Sequence, residues 1–366
     1  MDPIRVGIVG ASPDRGWAAR AHVPALRALA DFRITAVGTS RADSAQRARQ
    51  LFGAEHAFTD PRELAEHPEV DLVAITVKVP AHAELIRAAV AAGKDVYCEW
   101  PLALNLSEAH ALTRLAEDAG VRHVVGLQTR YAPAVARARQ LLAEGFVGEP
   151  VSVTVYGARQ LGAGTGVPGW AAYTLDRSTG AGVVEVFGGH ALDLVQYLIG
   201  DVVDVSARLA TPHRQAIIED TGERIEVTSP NHLLLDAITA RGIVVSAHIH
   251  DSKVSSGRTR IEISGTAGDL AIVSGANSRS GISLSELHLL GSRGDGDWEP
   301  VSGADSPADL SLGTDADNVA RLYAALAQDV RTGTTAVPTF HDGVRVHRLL
   351  DTIASSADTG RRLSVP

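Results

Sequence analysis

Near its beginning the sequence reads Ile4-Arg-Val-Gly-Ile-Val-Gly-Ala-Ser-Pro-Asp-Arg-Gly16. Its first six residues are mostly apolar and predict a buried β-strand, and the glycines that follow predict a tight turn into a helix. Glycine lets a backbone approach a pyrophosphate closely, and free N–H groups at the start of a helix attract anions. The stretch therefore predicts a dinucleotide-binding unit, with a simple strand-to-helix turn as the alternative.

The glycine spacing departs from the usual Gly-x-Gly-x-x-Gly pattern. Ser12 stands where the second glycine is expected, and Gly16 comes one residue late. The position of the loop, at the first strand–helix junction, nevertheless favours cofactor binding. The loop residues predicted to contact the cofactor are Gly10, Ala11, Ser12, Gly16 and Trp17.

Short apolar runs alternate with segments of helical period over residues 1–128. This alternation predicts a doubly wound parallel sheet, a Rossmann domain. After about Pro150, strand-like stretches follow one another with few helices, which predicts a large open, mainly antiparallel sheet. Residues 129–366 are therefore expected to form a second, α+β domain for substrate binding and oligomerisation, whose final helix can pack back on the first domain.

Composition excludes several classes of protein. The 366 residues are 45% hydrophobic and 21% charged, with a formal net charge of −9. The absence of a basic run argues against nucleic-acid binding, and no stretch is long enough for a membrane span. The single Cys98 excludes an intrachain disulfide, and no metal site is expected. Without a secretory signal, the protein is expected in the cytoplasm.

The second strand ends in Ala36-Val-Gly-Thr-Ser-Arg41. A site for NAD(H) usually places an acidic residue here to bind the ribose hydroxyls, and this segment has none. Ser40 and Arg41 are predicted to bind a 2′-phosphate, so NADP(H) is favoured over NAD(H). Alternatively, Arg41 only solvates the start of the next helix.

Further motifs occur in the order typical of one family. They are Ile75-Thr-Val-Lys-Val-Pro-Ala-His82, Glu99-Trp-Pro101, Gln128-Thr-Arg-Tyr-Ala-Pro133, Gly189-His-Ala-Leu-Asp193 and Asp342-Gly-Val-Arg-Val-His347 with Thr359-Gly360. With these motifs the chain resembles the Gfo/Idh/MocA oxidoreductase family over essentially its whole length. It is most similar to the branch containing the fungal galactose-pathway repressor, because of Gly16-Trp-Ala18, Val77-Lys-Val79 and Glu99-Trp100. The resemblance implies NADP binding without guaranteeing catalysis.

The family resemblance also implies which residues carry the chemistry. In the family, the lysine of a Glu-Lys-Pro motif and a histidine of the second domain handle a proton while hydride moves at the nicotinamide. Here Trp100 replaces that lysine, and Val186 stands where the family has an aspartate, with Glu185 one residue earlier. His190 is the expected acid/base. Asp193 shares its helix face and is expected to orient substrate hydroxyls.

Lys78 is a possible replacement for the missing lysine. It lies just past the fourth strand, and ligands of such sheets bind at the carboxyl ends of the strands. The alternative is a surface or phosphate-contacting lysine. Trp100 either fills the core or stacks on the apolar face of a sugar. Val77, Glu99 and Trp100 are expected to line the nicotinamide pocket.

Weaker signals mark the remaining candidates. Residues predicted to line the substrate pocket, besides Trp100, are Gln128, Arg130, Tyr131, Arg159 and Trp170. The alternating His248, His250 and Asp251 are expected on the surface of a strand.

The sequence thus predicts an NADP(H)-dependent oxidoreductase that transfers hydride to or from a hydroxyl or ketone of a sugar, cyclitol or polyol. One alternative is a non-catalytic regulatory protein that senses NADP or sugar. Another is elimination or glycoside cleavage with the nicotinamide retained throughout. The expected partners are a carbohydrate-like small molecule and further copies of the chain, as a homodimer or homotetramer formed through the C-terminal sheet.

Overall fold

The computed structural model describes residues 2–159, 166–275, 281–302 and 310–366. The chain divides into two compact units, Met1–Gln128 with Asp309–Arg345 and Thr129–Ala308 with Val346–Pro366. The sequence prediction placed everything after residue 128 in the second domain. In the structure, the segment Asp309–Arg345 belongs to the first unit. It does so because its helix, Thr314–Thr332, packs against the helices that follow the first strand.

Six parallel strands form the sheet of the first unit, in the order β3-β2-β1-β4-β5-β6. The order switches direction between β1 and β4, as in doubly wound nucleotide-binding domains. The inner strands are almost entirely buried because helices cover both faces of the sheet. The predicted Rossmann fold is therefore confirmed. The strands are β1 (Ile4–Val9), β2 (Phe32–Gly38), β3 (His56–Phe58), β4 (Leu72–Ile75), β5 (Asp95–Glu99) and β6 (His123–Gly126).

The helices of the first unit begin with a π-helical turn, Ala18–His22. Side chains cap two of the later helices, since Asp60 accepts a hydrogen bond from the N–H of Arg62 and Asn105 accepts one from the N–H of Glu108. The helices are α1 (Val23–Arg27), α2 (Ala42–Phe52), α3 (Pro61–Glu66), α4 (His82–Ala91), α5 (Leu106–Asp118) and α8 (Thr314–Thr332), with a 3₁₀ turn at Val79–Ala81. The boundary between the units falls inside α9 (Phe340–Thr359).

The second unit contains a nine-stranded sheet, in the order β17-β16-β15-β14-β7-β13-β12-β9-β18. Its described strand pairs are antiparallel except for β7 with β13, so the predicted mainly antiparallel sheet is confirmed. Its strands are β7 (Pro150–Ala158), β9 (Val202–Ala210), β12 (His232–Thr239), β13 (Val244–His250), β14 (Arg258–Gly265), β15 (Gly268–Ser274), β16 (Leu287–Arg293), β17 (Glu299–Val301) and β18 (Leu363–Ser364).

Smaller elements complete the second unit. A three-stranded sheet joins β8 (Gly166–Val167), β10 (Gln215–Ile218) and β11 (Arg224–Glu226). The helices are α6 (Pro133–Ala143) and α7 (Gly189–Ile199), with a π-helical turn at Val184–Gly188 and 3₁₀ turns at Gln128–Tyr131, Gly169–Leu175, Arg177–Thr179 and Ile282–Leu284.

The nine-stranded sheet has one packed face and one open face. Helix α7 packs on β7, and α6 packs on β15 and β16. Residues of β12 and β13 alternate between buried and accessible positions, and the large apolar side chains of Leu234 and Val244 remain about half exposed. No helix among the described residues is long and apolar enough to cross a membrane.

Candidate functional site

The glycine loop follows β1 at the carboxyl edge of the first sheet. Gly10 has a φ of +93°, and a Cβ there would lie 2.7 Å from a methyl carbon of Val77. Glycine is therefore required, because this backbone is left-handed and passes close to the residues that follow β4. The N–H groups of Gly10 and Ala11 both donate to the carbonyl of Gly38, at 2.9 and 3.1 Å. These contacts tie the loop to the ends of β2 and β4.

Some of the backbone N–H groups that were predicted to bind phosphate already donate hydrogen bonds to backbone carbonyls of the protein. Ser12 donates its N–H to the carbonyl of Gly10 at 2.8 Å. The donors left for a ligand come later, at the first two N–H groups of the Ala18–His22 turn, because these precede its helical carbonyls. The N–H of Arg20 already donates to the carbonyl of Gly16 at 3.2 Å. Gly16, at a φ of +120°, allows the backbone to turn into that segment. A bound phosphate would therefore meet the second half of the loop.

Trp17 adds a donor beside this turn. Its indole Nε1 is buried and has no hydrogen-bond acceptor within the described part of the chain. The guanidinium of Arg20 lies 5.9 Å from the centre of the indole ring. A buried N–H without a partner is unusual in proteins and points to an acceptor that a ligand or water provides. The residues of the loop thus fit a dinucleotide.

Ser40 and Arg41 lie at the start of α2, both exposed. Arg41 Nε is 3.4 Å from Asp43 Oδ1, and about two thirds of each side chain is accessible. An exposed ion pair of this kind is weak, so the guanidinium can exchange its partner for a phosphate. The geometry is compatible with both predicted roles of Arg41.

Glu99, at the end of β5, is held by a buried chain of hydrogen bonds. Its carboxylate lies 2.8 Å from His22 Nε2, and His22 Nδ1 lies 2.7 Å from the hydroxyl of Tyr323. The imidazole can therefore donate to Glu99 and accept from Tyr323. Gly126 leaves room for the carboxylate, since a Cβ there would lie 2.8 Å from Glu99 Oε2. His22 and Tyr323 escaped the sequence analysis because they lie far from Glu99 along the chain.

His82 joins the ends of β4 and β5. Its Nε2 is 3.0 Å from the carbonyl of Val77, and its Nδ1 is 3.0 Å from the carbonyl of Pro101 and 3.2 Å from Cys98 Sγ. Burial lowers the pKa of His82, so its ring is neutral and carries one N–H. His82 fixes the two segments that carry Lys78 and Trp100.

Lys78 and Trp100 differ sharply in accessibility. Lys78 is exposed at the start of the Val79–Ala81 turn, whereas Trp100 is only 6% exposed. The exposure of Lys78 suits either a ligand contact or an ordinary surface lysine. The burial of Trp100 favours its interpretation as packing over an open stacking surface for a sugar.

His190 lies in the first turn of α7 and is 4% exposed. Its Nδ1 is 3.4 Å from Thr129 Oγ1. Burial lowers the pKa of His190 to about 3, because the interior disfavours the imidazolium. The ring is therefore neutral at ordinary pH and can accept a proton or a hydrogen bond from a substrate hydroxyl.

Asp193 is engaged by another predicted site residue, Arg130. The guanidinium donates from Nε at 2.8 Å and from Nη2 at 2.5 Å to the two carboxylate oxygens, and both side chains are buried. The guanidinium carbon of Arg130 also lies 4.9 Å from the ring centre of Tyr197. The expectation that Asp193 orients substrate hydroxyls is therefore revised. This pair fixes the position of the helix that carries His190.

Glu185 is a candidate that sequence reasoning set aside. It lies in the π-helical turn directly before α7, and burial raises its pKa. The hydrogen bond of a π turn joins residues five apart, and Glu185 precedes His190 by five residues. Gly182 makes room for it, since a Cβ there would lie 2.6 Å from Glu185 Oε2. Glu185 is therefore a second candidate for the position of the family's aspartate, beside Val186.

Buried polar atoms lie just after β7 and β13 and just before β12. Arg159 Nη2 lies 3.5 Å from Asp251 Oδ2, a loose contact for a buried ion pair. Burial raises the pKa of Asp251 to about 6 and lowers that of Arg159. Arg159 Nε, Asp251 Oδ1 and Ser229 Oγ are buried without a hydrogen-bond partner among the described residues. The prediction of Asp251 as strand surface was wrong.

The remaining substrate candidates divide by exposure. Gln128 is 3% exposed, and its Oε1 has no partner in the part of the chain that the structure describes. Tyr131, in the same 3₁₀ turn, is partly accessible. Trp170 is 60% exposed, on the Gly169–Leu175 turn, so the structure leaves its predicted pocket role open.

Two family models match the chain in succession. Residues 4–127 match the Gfo/Idh/MocA model, described as an oxidoreductase family with an NAD-binding Rossmann fold. Residues 133–274 match the model of the C-terminal domain of Gal80p. The first match lies within residues 1–128, and the second covers the N-terminal part of residues 129–366.

Similar curated proteins include both enzymes and a regulator. The dehydrogenase aclE of Aspergillus oryzae is 34% identical over 60% of this chain, a match that spans 61% of that protein. The galactose/lactose metabolism regulatory protein GAL80 of Saccharomyces cerevisiae is 26% identical over 99% of this chain and 94% of its own length. Levoglucosan dehydrogenase of Pseudarthrobacter phenanthrenivorans is 29% identical over 58% of this chain and 55% of its own length.

Solved structures show the same fold along the whole chain. A super-repressor mutant of Gal80p from Saccharomyces cerevisiae superposes with a TM-score of 0.87 at 25% identity, covering 99% of this chain and 98% of that one. Levoglucosan dehydrogenase in complex with NADH and levoglucosan gives a TM-score of 0.87 at 23% identity, covering all of both chains. Through residues 4–127 the chain belongs to the Gfo/Idh/MocA oxidoreductase family, and along its whole length it is similar to Gal80 in sequence and fold.

Proposed function

We propose that the protein is an NADP(H)-dependent oxidoreductase that transfers hydride to or from a carbon of a sugar, cyclitol or polyol. The observation that carries the proposal is the group of buried polar atoms without partners in the described part of the second unit, at Arg159, Asp251 and Ser229. Buried polar groups are normally satisfied, and a ligand with several hydroxyls can both donate to and accept from such a set.

His190 is the proposed acid/base. When bound, the nicotinamide supplies the hydride donor or acceptor. With Nδ1 facing Thr129, the imidazole presents Nε2 to the substrate, and its neutral form takes the hydroxyl proton during oxidation. The Arg130–Asp193 pair holds α7 in place, and Glu185 stands in for the aspartate of the family. Lys78 remains a second proton carrier.

The names of related enzymes support this substrate class. Relatives include levoglucosan dehydrogenase, a D-apiose dehydrogenase and a myo-inositol 2-dehydrogenase, which are between 29% and 30% identical over parts of the chain. All three names refer to polyhydroxylated rings or sugars, which matches the donor and acceptor atoms buried in the second unit.

A spectrophotometric screen tests the proposed activity. Purified protein is mixed with NADP⁺ or NADPH and a panel of aldoses, anhydrosugars, inositols and their keto forms, and the absorbance of the reduced nicotinamide is followed. We expect turnover with at least one member of the panel. Sustained turnover of a sugar without net change in that absorbance would indicate retained-cofactor chemistry instead.

A non-catalytic sensor is the second candidate. It is favoured by the buried Trp100 at the position of the family lysine and by the similarity to GAL80 along 99% of the chain. Tight binding of NADPH with no turnover over the whole panel would overturn the oxidoreductase proposal in favour of this one.

The 2′-phosphate preference is expected to depend on Arg41. Replacing Arg41 with Ala should weaken NADPH binding about tenfold, about 1.4 kcal/mol, and leave NADH binding unchanged, because one charge-assisted contact to the phosphate is lost. Isothermal titration of both cofactors measures this. Arg33→Ala is the matched control, since Arg33 is also exposed but lies at the opposite end of β2. Tighter binding of NADH than of NADPH by the unmodified protein would contradict the assignment.

We also propose that a second copy covers the open face of the nine-stranded sheet. Leu234 and Val244 lie on this face, about half exposed, on adjacent strands. Sedimentation at micromolar concentration should show a dimer or tetramer, and Leu234→Glu should shift it towards monomer by placing a charge in the interface. Leu51→Glu, at an equally exposed apolar position on α2, should have no effect. A monomeric unmodified protein would refute the proposal.

A further inference from the structure

Three metal-ligating side chains lie together in the first unit, away from the glycine loop. The ligand atoms of His56, His67 and Glu69 are all within 4.8 Å of one another, the one such group among the residues that the structure describes. His56 begins β3, and the other two lie in the turn that leads into β4. The group therefore lies where strands begin, whereas Gly10 and Glu99 lie where strands end.

The group is compact and partly accessible. His56 Nε2 lies 2.5 Å from Glu69 Oε2, and the rings of His56 and His67 are 4.0 Å apart between centres. About a third of the His56 side chain and two fifths of the Glu69 side chain remain exposed. The carboxylate of Glu69 places a negative charge beside the two imidazoles. The charge and the open side both suit a hydrated cation.

The backbone around Glu69 is fixed by hydrogen bonds. The hydroxyl of Thr35 donates to the carbonyl of Glu69 at 2.6 Å, and the N–H of Glu69 donates to His67 Nδ1 at 3.2 Å. Pro68, between the two ligating residues, further limits the turn. The three side chains are thus brought together by the fold and need little ordering on binding an ion.

We propose that His56, His67 and Glu69 bind a divalent transition-metal ion of the Zn²⁺ class, with water as the remaining ligand. Imidazole nitrogen and carboxylate oxygen are ordinary ligands of such ions. The ion replaces the proton between His56 and Glu69. Their separation then widens to about 3.3 Å, the spacing of ligands in a tetrahedral zinc site. His67 can bind the ion through Nδ1, which then no longer accepts the 3.2 Å hydrogen bond from the N–H of Glu69. It can instead bind through Nε2 if the proton of the ring moves to Nδ1.

The ion would hold β3, at the edge of the sheet, to the turn before β4. Metal affinity should fall as the pH is lowered, because protons compete for the imidazoles. This inference does not depend on the proposed redox activity, since no residue of the group belongs to the cofactor or substrate sites.

Titration of tag-free protein with Zn²⁺ alone, followed by calorimetry, tests the site, and Co²⁺ absorption reports its geometry. We expect the unmodified protein to bind one ion. Glu69→Gln, which keeps the side-chain shape, and His67→Ala should each weaken the affinity for that ion by more than about tenfold. Binding should persist in His341→Ala, which breaks a similar surface pair with Glu117, and in His248→Gln, on the histidine-rich face of β13.

The proposal is overturned if Zn²⁺ does not bind, or if Glu69→Gln and His67→Ala bind it as tightly as the unmodified protein. It is also overturned if His248→Gln alone abolishes binding. A rise in melting temperature with Zn²⁺ that disappears in Glu69→Gln would support it independently, because an ion that binds only the folded state stabilises that state.

Discussion

Replacing His190 with Asn is expected to lower kcat by about 10²–10⁴-fold, the usual contribution of a general acid or base. The imidazole is buried and neutral, with a pKa of about 3, and Thr129 lies beside Nδ1. Asparagine keeps a polar group of similar size near that hydroxyl but cannot take a proton. The loss should therefore appear mainly in kcat, while binding of NADPH alone should not change.

Two further variants make the result specific. Lys78→Met reports whether the exposed lysine shares the proton transfer; if it does, kcat falls in this variant as well. His213→Gln, at an exposed loop position in the same unit as His190, should leave kcat unchanged. Full activity of His190→Asn would exclude His190 as the acid/base and leave Lys78 as the remaining candidate.

The same burial of His190 has a consequence for acid stability. The unfolded chain binds a proton at this histidine near pH 6.5, whereas the folded protein resists it down to about pH 3. Between these limits the unfolded state holds more protons, so His190 lowers stability as the pH falls, by about 1.4 kcal/mol per unit. Urea unfolding at several pH values measures this. As the pH falls from 6.5 towards 3, the free energy of unfolding should decrease less in His190→Asn than in the unmodified protein.

Asp193→Asn is expected to lower the free energy of unfolding by about 3–5 kcal/mol. The substitution keeps the shape of the side chain but removes the charge that compensates Arg130, and both residues are almost fully buried. The guanidinium of Arg130 then stays in the interior but no longer faces the carboxylate of Asp193. Urea-induced unfolding, followed by circular dichroism, measures the change.

Matched variants separate charge from packing. The double replacement Arg130→Met with Asp193→Leu should recover much of the lost stability, because it removes both charges and fills a similar volume. Asp43→Ala breaks the exposed pair with Arg41 and should cost less than about 1 kcal/mol. Unfolding of Asp193→Asn within about 1 kcal/mol of the unmodified protein would show that the Arg130–Asp193 pair does not stabilise the second unit.

The sheets were predictable because their signals are local. The apolar runs at β1 and β4, each followed by a helix, are enough to indicate a parallel sheet with two covered faces. In the same way, the closely spaced strands β12 and β13 indicate an antiparallel sheet. Both predictions were confirmed.

The site was less predictable because its contacts join distant residues. Helical spacing placed His190 and Asp193 on one face. Only the fold shows that Arg130, 63 residues away in sequence, donates hydrogen bonds to the carboxylate of Asp193. The hydrogen bond between Tyr323 and His22 joins residues that are 301 positions apart in the sequence, and no local sequence pattern indicates it. The motif alignment placed Val186 at the position of the family's aspartate, with Glu185 one residue earlier, and the sequence does not show that a π turn forms at this point.

The hydrogen-bonded chain from Glu99 through His22 to Tyr323 has a consequence for how the protein is made. Tyr323 also stacks on Tyr97, so the interior of the first unit contains a side chain that comes long after the last strand of its sheet in the sequence. During translation, β1 to β6 emerge from the ribosome long before α8 does. The interior of the nucleotide-binding unit therefore stays incomplete until α8 has been synthesised, after β7 to β17 of the second unit, and only then does this unit reach its full stability.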